Sequence, residues 1–162
     1  HISTGDLFRN HISNQTDLGK LAKSYMDQGD LVPDQVTIDM LENEVDQNPQ
    51  AKGFIFDGFP RTEAQAEALD LFLAKKGMDI SATIALEADD EILIERLLER
   101  GKSSGRTDDQ DEDKIRNRFE EYNTKTAPLR AYYTNQSKFH SVNGIGTIEE
   151  ITTRLTHLIN SL

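Results

Sequence analysis

Five of the nine arginines in this 162-residue chain fall between Arg96 and Arg118, whereas the lysines are spread along its length. A guanidinium carries a fixed positive charge, so a small anionic ligand is possible where such residues cluster. Upstream, the hexapeptide Asp57-Gly58-Phe59-Pro60-Arg61-Thr62 offers a second set. Gly58 permits a close backbone approach, Pro60 stiffens the turn, Arg61 supplies a planar fork matching a phosphate, and Asp57 is able to hold a hydrated magnesium ion. The same residues have plainer uses. Asp57 would serve as a cap for the next helix and Arg61 as an ion-pair partner of Glu63 or Glu67. The clustered arginines would pair with Glu95, Glu99, Glu120 or Glu121 on solvated helix faces.

Position decides between these uses, and position is set by the elements. Residues 53–57 form a short apolar run bounded by turn residues, which predicts a strand buried on both faces and ending at the hexapeptide. Open α/β sheets bind ligands at the carboxyl ends of their strands. A helix is expected over 62–76, a second strand over 80–87, and then a helix capped by Asp89 or Asp90. That helix buries Ile92, Leu93, Leu97 and Leu98 and stops at Gly101. Upstream, residues 6–11 form a short helix after a Ser-Thr-Gly-Asp turn. Thr16 caps a helix running towards Gln28 with Gly29 as its stop, and Pro33 opens a helix whose Val36, Met40, Leu41 and Val45 share a face.

Residues 102–113 carry no apolar side chain and read as a loop or small lid. Ile115, Phe119, Tyr122, Leu129 and Tyr132 predict a long helix bent by Pro128. A last strand is expected over 139–142, and Thr147 caps a final helix carrying Ile148, Ile151, Leu155, Leu158 and Ile159. The βαβα order argues for an α/β fold, a parallel sheet with helices on both faces.

Composition narrows the function classes. The chain has no cysteine, which removes disulfides, thiolate nucleophiles and Cys-based metal sites. Its net charge of -11 opposes nucleic acid and anionic membrane surfaces, while a small anion remains welcome where arginines cluster. No apolar run approaches the ~20 residues that span a bilayer, and no signal sequence opens the chain. One domain, 1–162, is expected in a reducing, cytoplasmic setting.

Four segments then resemble, in order and across essentially the whole chain, the signatures of the adenylate kinases, a family of nucleoside monophosphate kinases. They are Ile2-Ser3-Thr4-Gly5-Asp6-Leu7-Phe8-Arg9, the hexapeptide at Asp57, Gly105-Arg106-Thr107-Asp108-Asp109 and Thr126-Ala127-Pro128-Leu129. The resemblance implies the P-loop nucleoside monophosphate kinase fold. An AMP-binding helical part lies over about 5–48 and a short lid over about 102–111. It also implies the reaction of ATP and AMP to two ADP with Mg2+, in a monomer. AMP would meet Thr4, Arg9, the backbone around Val32, Gly58, Arg61 and Gln65, with Arg106 and Arg118 close by. Gln65, four residues after Arg61, carries an amide able to donate to and accept from an adenine edge.

On the ATP side the resemblance makes Arg96 an adenine-stacking residue beside backbone near Gly146, with Arg100 on the phosphates. Arg61, Arg100, Arg106 and Arg118 would converge on the transferring group, and Asp57 would hold magnesium through water. Transfer between phosphates leaves no proton to remove, so Asp108 and Asp109 are read as lid and hinge structure that holds the lid arginine, not as an acid/base pair. Arg116 takes no role and is read as a surface residue.

The family's glycine-rich phosphate loop, Gly-x-x-x-x-Gly-Lys-Ser/Thr, does not occur in the 162 residues. Gly101-Lys102-Ser103 imitates its end, but Arg96 stands at its first glycine. The expectation is that an upstream segment of the working protein supplies this loop. It would also supply a strand between the one ending at Asp57 and the one ending near Glu87, and without it the chain should be nearly inactive. Two other readings stay open: a kinase of UMP or CMP, which would share the arginines, and a module that binds AMP without transfer.

Overall fold

A computed structural model describes residues 1–162, with the side chain of Thr107 outside the description. The chain opens on a two-residue strand, β1 (Ile2–Ser3), which pairs in parallel with β2 (Phe56–Asp57) in the register Ile2 to Phe56 and Ser3 to Asp57. Between them run α1 (Thr4–Ser13), α2 (Asp17–Met26) and α3 (Asp34–Asp46). Thr16 caps α2 as the sequence predicts, Ser3 caps an α1 that starts at Thr4 and not at the expected residue 6, and α3 follows Pro33 without a side-chain cap. Ser3 Oγ accepts from the Asp6 N–H at 3.4 Å and Thr16 Oγ1 from the Gly19 N–H at 3.0 Å. Ile2, Leu41, Val45, Phe59 and Leu69 form one core, and Phe8, Ala22, Val32 and Met40 form a second beneath α1 and α2.

After β2 the chain makes a turn with a cis Phe59–Pro60 bond and enters α4 (Glu63–Lys75), capped by Thr62. Then come β3 (Thr83–Glu87), α5 (Asp90–Ser104), a short 3-10 turn (Thr107–Asp109) and α6 (Glu112–Glu121). A π-helical turn (Tyr122–Thr126) leads to α7 (Leu129–Asn135), β4 (Phe139–Asn143) and α8 (Ile148–Ile159). Strand β3 pairs in parallel with β4 from Thr83 to Phe139 through Glu87 to Asn143. The architecture is α/β with parallel strands flanked by helices, as expected, but the strands form two separate pairs.

Several expectations need correction. Of residues 53–57 only the last two are strand, and the run is not buried on both faces. Phe54 and Phe56 pack on the core while Ile55 is 68% exposed. Helix α5 does not stop at Gly101 but runs to Ser104 and ends at Gly105, whose φ is 68°. Its fully buried apolar residue is Ile94, with the expected stripe only half-buried. The polar stretch from 102 therefore begins as helix. The expected long helix is broken by the wide turn ahead of Pro128 as well as by the proline itself. On α8 a capping box between Thr147 and Glu150 forms, yet no residue is fully buried and Ile148 is 82% exposed.

Candidate functional site

The carboxyl ends of β1 and β2 meet where Thr4, Gly58 and Arg61 come together. Thr4 Oγ1 donates to the Gly58 carbonyl at 3.1 Å, and Arg61 Nε donates to the same oxygen at 2.7 Å. Gly58 has φ of 70°, and a Cβ there would stand 2.8 Å from Arg61 Nη2, so glycine is required on both counts. Thr126 Oγ1 ties the segment down by donating to the Arg61 carbonyl at 2.8 Å. Neither plainer reading of the hexapeptide holds: the helix is capped by Thr62, and Arg61 pairs with neither Glu63 nor Glu67 among the described residues. Burial pushes the Arg61 guanidinium below its ordinary value, and the like charges of Arg118 and Arg9 add to this. A half-buried cation crowded by two others, its Nη atoms donating to no protein acceptor among the described residues, is suited to an anion.

Thr4, Phe8, Val32, Gly58, Arg61 and Gln65 line one cleft between α1, the start of α3 and α4. All six are expected AMP-side residues except Phe8. Arg9 lies nearby, paired with Asp6, and Arg106 Nη2 reaches the same carboxylate at 3.6 Å. The hydrogen bond from Arg9 holds the Asp6 carboxyl below the usual range, helped by the charge of Arg106. Arg106 is itself lowered by burial and by the neighbouring charges of Arg9 and Arg100. Gln65 is already engaged with protein groups on both sides of its amide, at Arg61 and Asp34.

The remaining arginines divide. Arg100 Nε donates to Asp109 Oδ2 at 2.6 Å, while Arg118 Nη1 donates to Asp109 Oδ1 at 2.7 Å and to Asp108 Oδ2 at 3.0 Å. Asp109 has 0% exposure. Burial alone would raise its carboxyl, but hydrogen bonds and charge from Arg100 and Arg118 outweigh that and hold it below the ordinary range. The two aspartates thus fix Arg100 and Arg118, and the lid arginine, Arg106, turns to Asp6 instead. Arg96 stands apart, donating to the Gly144 carbonyl at 2.8 Å and the Gly146 carbonyl at 3.3 Å. Arg96 and Gly146, both expected on the ATP side, are therefore in contact. Arg116 pairs with Glu112 at 2.7 Å on the surface, as expected.

Asp57 is exposed, with His1 Nε2 3.8 Å from its Oδ2. Among the described residues no group of three or more acidic, His or Cys side chains is placed to cage a metal. A lone accessible carboxylate suits Mg2+, which keeps its waters and takes most other ligands from phosphates. Sequence reasoning missed Asp34, and it gave no role to Asp6 and Thr126 although both lie in the quoted segments; all three steady the expected residues. Asp6 stands three residues before Arg9, a spacing that marks a helical ion pair, whereas Asp34 and Thr126 act on partners distant in the chain and no spacing marks them.

Comparison with known proteins adds a family. The sequence profile of the family described as adenylate kinase matches residues 1–138. An adenylate kinase of Flavobacterium psychrophilum is 71% identical over 162 residues, covering 100% of this chain and 85% of its own length. One from Flavobacterium johnsoniae is 62% identical over the same span, again 85% of its length. One from Parabacteroides distasonis is 49% identical with the same coverage.

Proposed function

Because the chain belongs to the adenylate kinase family, we propose that it carries out the AMP-binding and phosphoryl-positioning work of an enzyme that converts ATP and AMP reversibly into two ADP. The observation that carries this reading is the cleft at the ends of β1 and β2. There Gly58 opens space, Arg61 presents a crowded guanidinium and Gln65 presents a fixed amide at the start of α4. The monophosphate would sit against Arg61 and Arg9, with Thr4 and the backbone at Val32 beside the nucleoside. Arg118 and Arg100, steadied by Asp108 and Asp109, would face the transferring group, and Arg106 would leave Asp6 to join them when residues 102–111 close. Arg96, held to the Gly144 and Gly146 carbonyls, would stack its guanidinium on the ATP base.

Transfer between phosphates needs alignment, exclusion of water and positive charge on the equatorial oxygens, and arginines so placed contribute ~10³ to 10⁵ in rate. Mg2+, held through water by Asp57, would neutralise phosphate charge when bound with ATP. The phosphate loop belongs, in this reading, to an upstream segment of the working enzyme. The protein acts as a cytoplasmic monomer. No helix among the described residues is long and apolar enough to cross a membrane.

A coupled assay for ADP formation from ATP and AMP with magnesium, run on these 162 residues and on a version extended upstream through a phosphate loop, tests the proposal. Activity in the extended protein is expected, with little in the shorter one. Inactivity of both with AMP still bound would favour a non-catalytic AMP-binding module, a reading that the absence of the phosphate-loop motif from these residues supports. Light scattering that shows a dimer would refute the monomer.

A further inference from the structure

The carboxamide of Gln65 is pinned from two directions. Its Oε1 accepts from the Arg61 backbone N–H at 2.8 Å, its Nε2 donates to Asp34 Oδ1 at 2.8 Å, and the residue is only 2% exposed. Asp34 is held in turn, because its Oδ2 accepts from Thr62 Oγ1 at 2.9 Å, and that hydroxyl caps α4 by accepting from the Gln65 N–H at 3.2 Å. A backbone N–H only donates and a carboxylate only accepts. Turning the amide over would set donor against donor at Arg61 and acceptor against acceptor at Asp34. The neighbours therefore fix which end of the amide is oxygen.

That orientation matters because Gln65 lines the cleft. Beyond its two bonds to protein it has one N–H and one lone pair to offer a ligand. A 6-aminopurine presents a donor at position 6 and an acceptor at position 1. A 6-oxopurine presents the reverse. An amide free to turn over would serve either base, whereas a locked one serves the pattern that matches it. We propose that Asp34 is a specificity-determining positioning residue, which by locking Gln65 makes the cleft select a 6-aminopurine monophosphate over its 6-oxo counterpart. The inference rests on the AMP-side reading of this cleft.

Calorimetric titration of AMP and of IMP into the chain and into its Asp34→Asn variant tests it, because asparagine both donates and accepts and so removes one of the two contacts that oppose a reversed amide, leaving only the Arg61 N–H. The unsubstituted protein should prefer AMP by roughly 100-fold or more, as a site built on paired polar groups does. The variant should narrow that ratio by about tenfold, chiefly by binding IMP more tightly. An unchanged ratio, or equal weakening of both nucleotides, would overturn the inference and leave Asp34 a merely structural residue. If the variant does not fold, nuclear magnetic resonance of the unsubstituted chain decides. Gln65 side-chain protons protected from exchange with solvent are expected, and protons that exchange as fast as those of an exposed glutamine overturn the lock. Failure of the unsubstituted chain to bind AMP would overturn the underlying reading, and is told apart because it appears before any substitution.

Discussion

Arg100 and Arg118 converge on a carboxylate with no exposed surface, Asp109, so each of the three charges depends on the others. A buried acid without such partners would be expelled or protonated. Here the partners win and the folded-state value lies below the ordinary 3.8. A depressed acid contributes stability that is fully present above its unfolded value and is lost as pH falls through the lower folded one. The contribution of Asp109 should therefore be complete above about pH 4, near its ordinary value of 3.8, and vanish in stronger acid. Asp109→Asn should lower stability at pH 7 and flatten the acid limb of the stability curve measured by urea titration. An acid limb as steep as before would show that other carboxylates govern it. The arginine cluster was legible in the sequence because residue type carries the chemistry. Which acid each arginine meets was not, because that depends on how α5 and α6 pack.

At the scale of elements, α5 and the turn after it show where local signals mislead. Gly101 reads as a helix stop, since glycine ends helices so often. In the structure it lies inside α5, buried, where a Cβ would overlap the backbone of Asp109. Its function is to let the 3-10 turn lie against the helix and deliver Asp109 to Arg100, nine residues along the chain. Glycine to alanine inside a helix ordinarily stabilises by about 1 kcal/mol. Gly101→Ala should do the opposite, destabilising by about 1–3 kcal/mol through the clash. A urea midpoint that rises instead would show that the turn moves aside freely. The caps Thr16 and Thr147 were legible because a hydroxyl meets backbone within three residues, whereas Thr62, expected inside its helix, proves to be the cap of α4.

Over the whole molecule the parallel strands form two pairs that share no ladder, and Ile55, Leu86 and Ile148 remain largely exposed. Exposed apolar side chains on strand-bearing segments and on the face of an amphipathic helix add little to stability until something covers them. A version of the chain extended upstream through a phosphate loop should melt several degrees higher than the 162 residues alone and bind less hydrophobic dye. Equal melting temperatures would mean that these surfaces stay open in the longer protein too. By itself the sequence determined the residue types that a site draws on, an arginine cluster and a glycine turn after a strand, together with the caps Thr16 and Thr147 and the alternation of strand and helix. These depend on residue identity and on neighbours a few positions away, which the chain order carries. Only the tertiary structure decided that Asp109 joins Arg100 to Arg118, that Asp34 reaches Gln65 across 31 residues, and that the strands pair two by two. Such contacts depend on which surfaces are brought together, and spacing along a chain does not record that.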